Sequence, residues 1–192
     1  MVARGSAIAA EAKALGDRAM GIAADVTDTT QMKLCCERVA REWGAIDILV
    51  NSAGLHRGGK VDSVSIDDWD DSIATNLTGP LNVVRAALPH MEDGSAIVNI
   101  GAVVGFRGFP GDACYGASKA GLSGLTNVLA IELAKRRIRV NLVVPGFVMT
   151  EMTAGVSEKA REAIVAKIPL RRMGEAAEIA DIRASYRFRS AS

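Results

Sequence analysis

Apolar residues in this chain alternate between short unbroken runs and longer stretches with helical spacing, the signature of strands each followed by a helix. Residues 19–24, 46–51, 96–100 and 139–144 read as strands. Residues 6–15, 28–43, 66–91, 115–136, 158–167 and 175–182 read as helices. Gly16 stops the first helix, and Gly79-Pro80 should kink the third, residues 66–91, since proline lacks the donor a continuous helix needs. Ser65 stands where a cap belongs, with Asp67 and Asp68 in the first turn where the helix dipole favours acids. The connection after residue 51 is glycine-rich, and residues 101–112 are rich in Gly and Pro. This alternation predicts an α/β fold in which helices cover a parallel sheet. Residues 1–182 read as one incomplete domain and residues 183–192 as an irregular basic tail.

Composition narrows the function classes. Hydrophobic residues make up 49% and charged residues 23%, an ordinary globular balance. A net charge of +1 gives no reason to expect nucleic acid or an anionic membrane as partner. No apolar run approaches the ~18 residues of a membrane span, and the N-terminus lacks the apolar core of a signal peptide. Three cysteines, two of them adjacent, make no disulfide framework and point to a reducing cytoplasm. His56 and His90 have no partners at ligand spacing, so no metal site is readable. Arg136-Arg137 and Arg171-Arg172 read as solvated charges, with an acidic carrier-protein partner as their second use.

Candidate chemistry lies in Ala113-Cys-Tyr-Gly-Ala-Ser-Lys-Ala-Gly-Leu122. Tyr115 and Lys119 are four residues apart on a predicted helix and so share one face. A phenol titrates near ~10, and a fixed positive charge beside it favours the phenolate. Such a pair can exchange a proton with a carbonyl or an alcohol near neutrality. Around it stand Ile46-Asp-Ile-Leu-Val-Asn-Ser-Ala-Gly54, Thr75-Asn-Leu-Thr-Gly79, Ile97-Val-Asn-Ile100 and Val140-Asn-Leu-Val-Val-Pro-Gly-Phe-Val-Met-Thr150. In this order and spacing the motifs resemble the short-chain dehydrogenase/reductase family. The run from Pro145 to Thr153, followed by Ile168-Pro-Leu-Arg-Arg-Met-Gly174, is similar to its 3-oxoacyl-(acyl carrier protein) reductases.

The resemblance implies a doubly wound Rossmann-like parallel sheet with helices on both faces. It implies an NADP-dependent oxidoreductase, with NAD possible, reducing 3-oxoacyl thioesters in fatty acid biosynthesis, with acyl carrier protein as a possible partner. Tyr115 would protonate the substrate oxygen while Lys119 lowers its pKa and holds the nicotinamide ribose. Asn76 would fix a relay water. Asp25 and Val26 would flank the adenine, and Asn51, Ala53 and Gly54 the adenosine ribose. Pro145, Gly146, Val148 and Thr150 would line the nicotinamide carboxamide, and Arg4 would pair with a 2′-phosphate. Helices 66–91 and 115–136 would form a homo-oligomer interface.

Three departures leave two functions open. The family's Thr-Gly-x-x-x-Gly-x-Gly phosphate loop is nowhere in this chain, which reads as lacking the first strand-turn-helix and the last strand. The family's serine thirteen residues before the tyrosine is Ala102. The chain therefore reads either as a reductase or as a catalytically impaired relative that serves only in oligomerisation. A sugar-nucleotide epimerase shares Tyr-x-x-x-Lys but needs a larger C-terminal region.

Overall fold

Three of the four apolar runs pair as expected. In the computed structural model, which describes residues 12–185, β1 (Ile48–Asn51), β2 (Ala96–Ile100) and β3 (Arg139–Val143) form a parallel sheet in that order. Ile48 lies opposite Ala96, and Ile97 opposite Val140. The central strand is buried along nearly its whole length, which is why its sequence is an apolar run rather than an alternation. Among the described residues β1 and β3 are the sheet edges, and Ile48 on the first is half exposed.

Residues 19–24 are not a strand. They run as irregular backbone, because a strand exists only through a neighbour's ladder and no described residue pairs with them. The helix expected over residues 6–15 lies partly outside the described residues; it is helical from Ala12 to Ala14 and ends in the turn Gly16–Arg18, where Gly16 takes a φ of +65°.

Helices fill the connections. α1 (Thr29–Trp43) is capped by Asp28, whose carboxylate accepts from the amides of Thr30 and Gln31. The segment expected as one kinked helix is four pieces: α2 (Ile66–Ile73), a π-helical turn Ala74–Thr78, α3 (Gly79–Ala87) and a tight turn Leu88–His90. Ser65 caps α2 through the Asp68 amide at 3.0 Å. A short α4 (Val104–Arg107) precedes α5 (Ala113–Glu132) in a stretch that reads as plain loop. Beyond β3 come β4 (Val148–Met149), α6 (Glu151–Ala154), α7 (Glu158–Val165), β5 (Gly174–Glu175) and α8 (Ala176–Ser185). β4 and β5 pair in parallel, and α8 continues three residues past the expected end at Ile182. Residues 186–192, the rest of the basic tail, lie outside the described residues.

The core joins Cys36 of α1, Val84 and Ala87 of α3, Met91, Ile97 of β2, Leu129 and Leu133 at the end of α5, and Ile138 and Val140. Burying an aliphatic such as Ile97 fully stabilises by ~1.5–3 kcal/mol. α4 docks on α5 so closely that a Cβ on Gly105 would stand 2.8 Å from the Ala120 amide nitrogen, so only glycine fits there. No helix among the described residues is long and apolar enough to cross a membrane.

Candidate active site

Open α/β sheets place their ligand crevice beyond the carboxyl ends of the strands. Here those ends are Asn51 of β1, Ile100 of β2 and Val143 of β3, and the predicted site residues continue directly from them. The strands are fixed at this edge by a buried polar chain. Asn51 donates from Nδ2 to Asn99 Oδ1 at 2.8 Å, and Asn99 Nδ2 to Thr126 Oγ1 of α5 at 2.9 Å. Thr126 in turn donates to the Leu122 carbonyl. Every member is satisfied, which is the condition under which a buried network specifies one register.

α5 carries Tyr115 and Lys119 on one face, as their spacing predicts. Lys119 Nζ sits over the Tyr115 ring, 5.7 Å from its centroid, and donates to the Ile100 carbonyl at 2.7 Å. The Lys119 side chain is buried with no carboxylate beside it among the described residues, and burial lowers its ammonium from 10.5 to about 8. Tyr115 goes the other way. Burial first, then the Asp112 carboxylate, push its phenol above the ordinary value. The expected lowering by Lys119 is thus overturned for this arrangement: Nζ addresses the ring face and the Ile100 carbonyl, while a carboxylate and desolvation act on the phenol.

Asn76 is fully buried in the π turn and clamps the loop after β1. Its Oδ1 accepts from the Leu55 amide at 2.7 Å, and its Nδ2 donates to the Leu55 carbonyl at 2.8 Å and to Ser118 Oγ at 3.0 Å. Oδ1 keeps a second lone pair. Gly54 lies between the two functional side chains: a Cβ there would be 3.6 Å from Asn76 Oδ1 and 3.8 Å from Lys119 Nζ. Ala53 beside it is exposed.

The remaining predicted binders border the same edge. The Pro145 carbonyl accepts from the Val103 amide at 2.9 Å. Gly146 is exposed, Val148 pairs with Gly174 in the small sheet, and Thr150 caps α6 in a reciprocal box with Thr153. Asp25 accepts from the amide and hydroxyl of Thr27 through one oxygen. Val26 packs on α3 so tightly that a Cβ on Gly79 would be 2.7 Å from its Cγ2, and its carbonyl accepts from Asn82 Nδ2. Arg4 lies outside the described residues.

Two arginines expected as solvated charges have internal work. Arg136 donates to the carbonyls of Leu88 and Met91 and pairs with Asp93, and Arg172 makes a two-point pair with Glu178 that holds that carboxyl down to about 2. Sequence reasoning missed His56 and Asp112. His56 Nε2 stands 2.8 Å from Asp112 Oδ1, and its ring meets Tyr115 edge-on with centroids 5.1 Å apart. The two are 56 positions apart, and neither carries a local signal.

These residues fit a nicotinamide nucleotide at its nicotinamide end. Lys119 has three N–H groups, and one of them is engaged among the described residues, leaving buried donors that match a ribose diol. The pH dependence of stability reports the same burial. The unfolded chain binds a proton on Lys119 that the native state has lost between about 8 and 10.5, so this residue makes stability rise with pH across that window. Urea unfolding midpoints measured through the window should rise more steeply in the wild type than in Lys119→Met.

A parallel sheet with this constellation over its carboxyl edge places the protein among the nicotinamide-dependent α/β oxidoreductases. A family model described as enoyl-(acyl carrier protein) reductase matches residues 2–185. The chain is 43% identical over 174 residues to the 3-oxoacyl-[acyl-carrier-protein] reductase FabG of Thermotoga maritima, covering 90% of this chain and 71% of that one. It is 43% identical over 166 residues to carbonyl reductase family member 4 of Danio rerio, covering 86% and 69%. Among solved structures, a blue fluorescent protein from a metagenomic library in complex with NADPH superposes with a TM-score of 0.85 at 35% identity, over 94% of this chain and 73% of that one. A short-chain dehydrogenase/reductase of the glucose/ribitol dehydrogenase type from Brucella melitensis gives 0.86 at 33%, over 91% and 72%. The chain belongs to the short-chain dehydrogenase/reductase family, with its doubly wound Rossmann-like fold, and is similar to the 3-oxoacyl-(acyl carrier protein) reductases within it.

Proposed function

We propose that this protein reduces 3-oxoacyl thioesters with NADPH. The observation that carries the proposal is the convergence of Tyr115, Lys119, Asn76 and Gly54 at the carboxyl edge of the sheet. When bound, the nicotinamide would supply hydride to the carbonyl carbon. Tyr115, protonated at neutral pH, gives its proton to the carbonyl oxygen as charge builds there. Lys119 holds the ribose hydroxyls with its free N–H groups, and the spare Oδ1 lone pair of Asn76 holds a relay water. Asp25 and Val26 flank the adenine, and Asn51, Ala53 and Gly54 the adenosine ribose. Pro145, Gly146, Val148 and Thr150 line the carboxamide, and Arg4 meets the 2′-phosphate. NADPH is favoured over NADH by the NADPH-bound structural neighbour. The thioester, and an acyl carrier protein delivering it, are favoured by the names of the relatives. Exposed Ile66 and Trp69 of α2, and Val128 and Ile131 of α5, support a homo-oligomer through these helices.

A second reading, a non-catalytic oligomerising relative, is favoured by one observation, the methyl group of Ala102 where the family carries a hydroxyl. Titration with NADPH separates the two. The reductase should melt higher, with ~2.7 kcal/mol of stabilisation at about a hundredfold excess over Kd, and should then oxidise NADPH when given a short 3-oxoacyl thioester. A folded protein whose melting NADPH does not move, or one that binds NADPH and oxidises none of it with the thioester, belongs to the second reading.

A further inference from the structure

Among the described residues the Tyr115 hydroxyl has no hydrogen-bond partner, so the orientation of the phenol rests on what its ring touches. A tyrosine ring turns easily about its last torsion, whose wells are broad and two-fold, unless neighbours hold it. That rotation leaves the oxygen on its axis but turns the plane in which the O–H bond lies, and so the direction in which the proton is offered. Lys119 Nζ stands 5.7 Å from the ring centroid. The His56 ring meets the phenol ring with centroids 5.1 Å apart and planes at 73°, the edge-to-face geometry that aromatic rings favour.

His56 is itself pinned at both ends. The residue before it, Leu55, is held at its amide and its carbonyl by Asn76, at 2.7 and 2.8 Å. At the far end of the side chain, Nε2 lies 2.8 Å from Asp112 Oδ1, and because an ionised carboxylate only accepts, the imidazole donates. Asp112 is fixed in turn: its amide donates to the Phe109 carbonyl at 3.1 Å, and its carbonyl accepts from the Gly116 amide at 2.7 Å. The two loops close on each other beside this bond, where Gly59 donates to the Gly111 carbonyl at 2.7 Å. Gly58 leaves the imidazole its room, since a Cβ there would stand 3.3 Å from His56 Cε1.

We propose that His56, tied down by Asp112, is a positioning residue that sets the orientation of the Tyr115 phenol for proton transfer. The inference rests on the reading of Tyr115 as the acid of carbonyl reduction. A ring fixed at backbone and head, and set edge-on against the phenol, confines the phenol's plane where no hydrogen bond of its own does so. His56 thus acts through Tyr115, and the loop after β1 that carries it also carries Gly54, beside Asn76 and Lys119.

A double-mutant cycle tests this, read in the single-turnover oxidation of bound NADPH by a 3-oxoacyl thioester. His56→Ala should slow that step ~10-fold or more, since a misplacement of about 1 Å can cost ~10²-fold, while NADPH still raises the melting temperature as in the wild type. In a Tyr115→Phe background, which has no hydroxyl to aim, the same change should cost nothing further. Asp112→Ala should slow the reaction less than His56→Ala and add nothing once His56 is gone. Should His56→Ala fail to fold, His56→Leu, which fills the space with neither ring nor donor, carries the same cycle. An equal loss in both backgrounds, or no loss with Tyr115 present, overturns the proposal. A wild type that binds NADPH and passes no hydride to the thioester overturns instead the reading of Tyr115 as the reductase acid, and the proposal with it.

Discussion

Tyr115→Phe should lower the turnover of a 3-oxoacyl thioester by ~10²–10⁴-fold, the usual contribution of a positioned general acid, while NADPH still raises the melting temperature. The ring that packs against His56 and lies under Lys119 survives this change, and only the hydroxyl is lost. The sign of the pH dependence follows from what surrounds that hydroxyl. Burial and the Asp112 carboxylate push the phenol up, so it is protonated throughout the neutral range. Carbonyl reduction needs the protonated form, so Tyr115 itself imposes no fall in rate until the pH passes above the ordinary phenol value near ~10. Alcohol oxidation needs the phenolate and should be slow at neutral pH, rising toward alkaline pH. A Phe variant within a few-fold of wild type in steady-state reduction would sink the assignment of Tyr115 as the acid.

What the sequence shows and what it hides divide along physical lines. β1, β2 and β3 are legible because each is a short apolar run that ends in a turn, and each finds a partner. Residues 19–24 carry the same kind of run and are not a strand, because pairing is a property of two segments and periodicity belongs to one. The α5 pair is legible because helical spacing fixes which residues share a face. The π turn that aims Asn76 at Leu55 is not, since one slipped helical register leaves no compositional trace. The phenol's upward shift depends on Asp112 and burial, and a reading of Tyr115 and Lys119 alone gives it the wrong sign. His56 and Asp112 meet only because two loops close on each other, through a contact between backbone groups of Gly59 and Gly111. Long-range loop closure is the step that sequence patterns encode least.

Ala102→Ser should raise turnover by ~10²–10³-fold, the effect of one hydrogen-bond donor aimed at a developing oxyanion. The position is held firmly enough for a single hydroxyl to matter. Gly101 donates to the Val143 carbonyl at 2.8 Å, Val103 to the Pro145 carbonyl at 2.9 Å, and the Ala102 carbonyl accepts from Gly105 at 3.1 Å. Ala102 is half-buried at the end of β2 and outside the left-handed backbone region, so a serine enters without strain. Neither nearby serine replaces the missing donor. Ser118 Oγ is engaged by the Tyr115 carbonyl and Asn76, and Ser95 Oγ donates to Glu92 and Ile46 carbonyls at the opposite end of the strand. The gain should appear in kcat, with NADPH affinity unchanged, because the new hydroxyl meets the substrate oxygen and not the nucleotide. A serine variant that binds NADPH and turns over no faster than wild type shows that the missing hydroxyl does not limit the reaction. A variant that alone is active shows that the wild-type chain holds the cofactor site of a reductase with its oxyanion donor removed, the state expected of the non-catalytic reading.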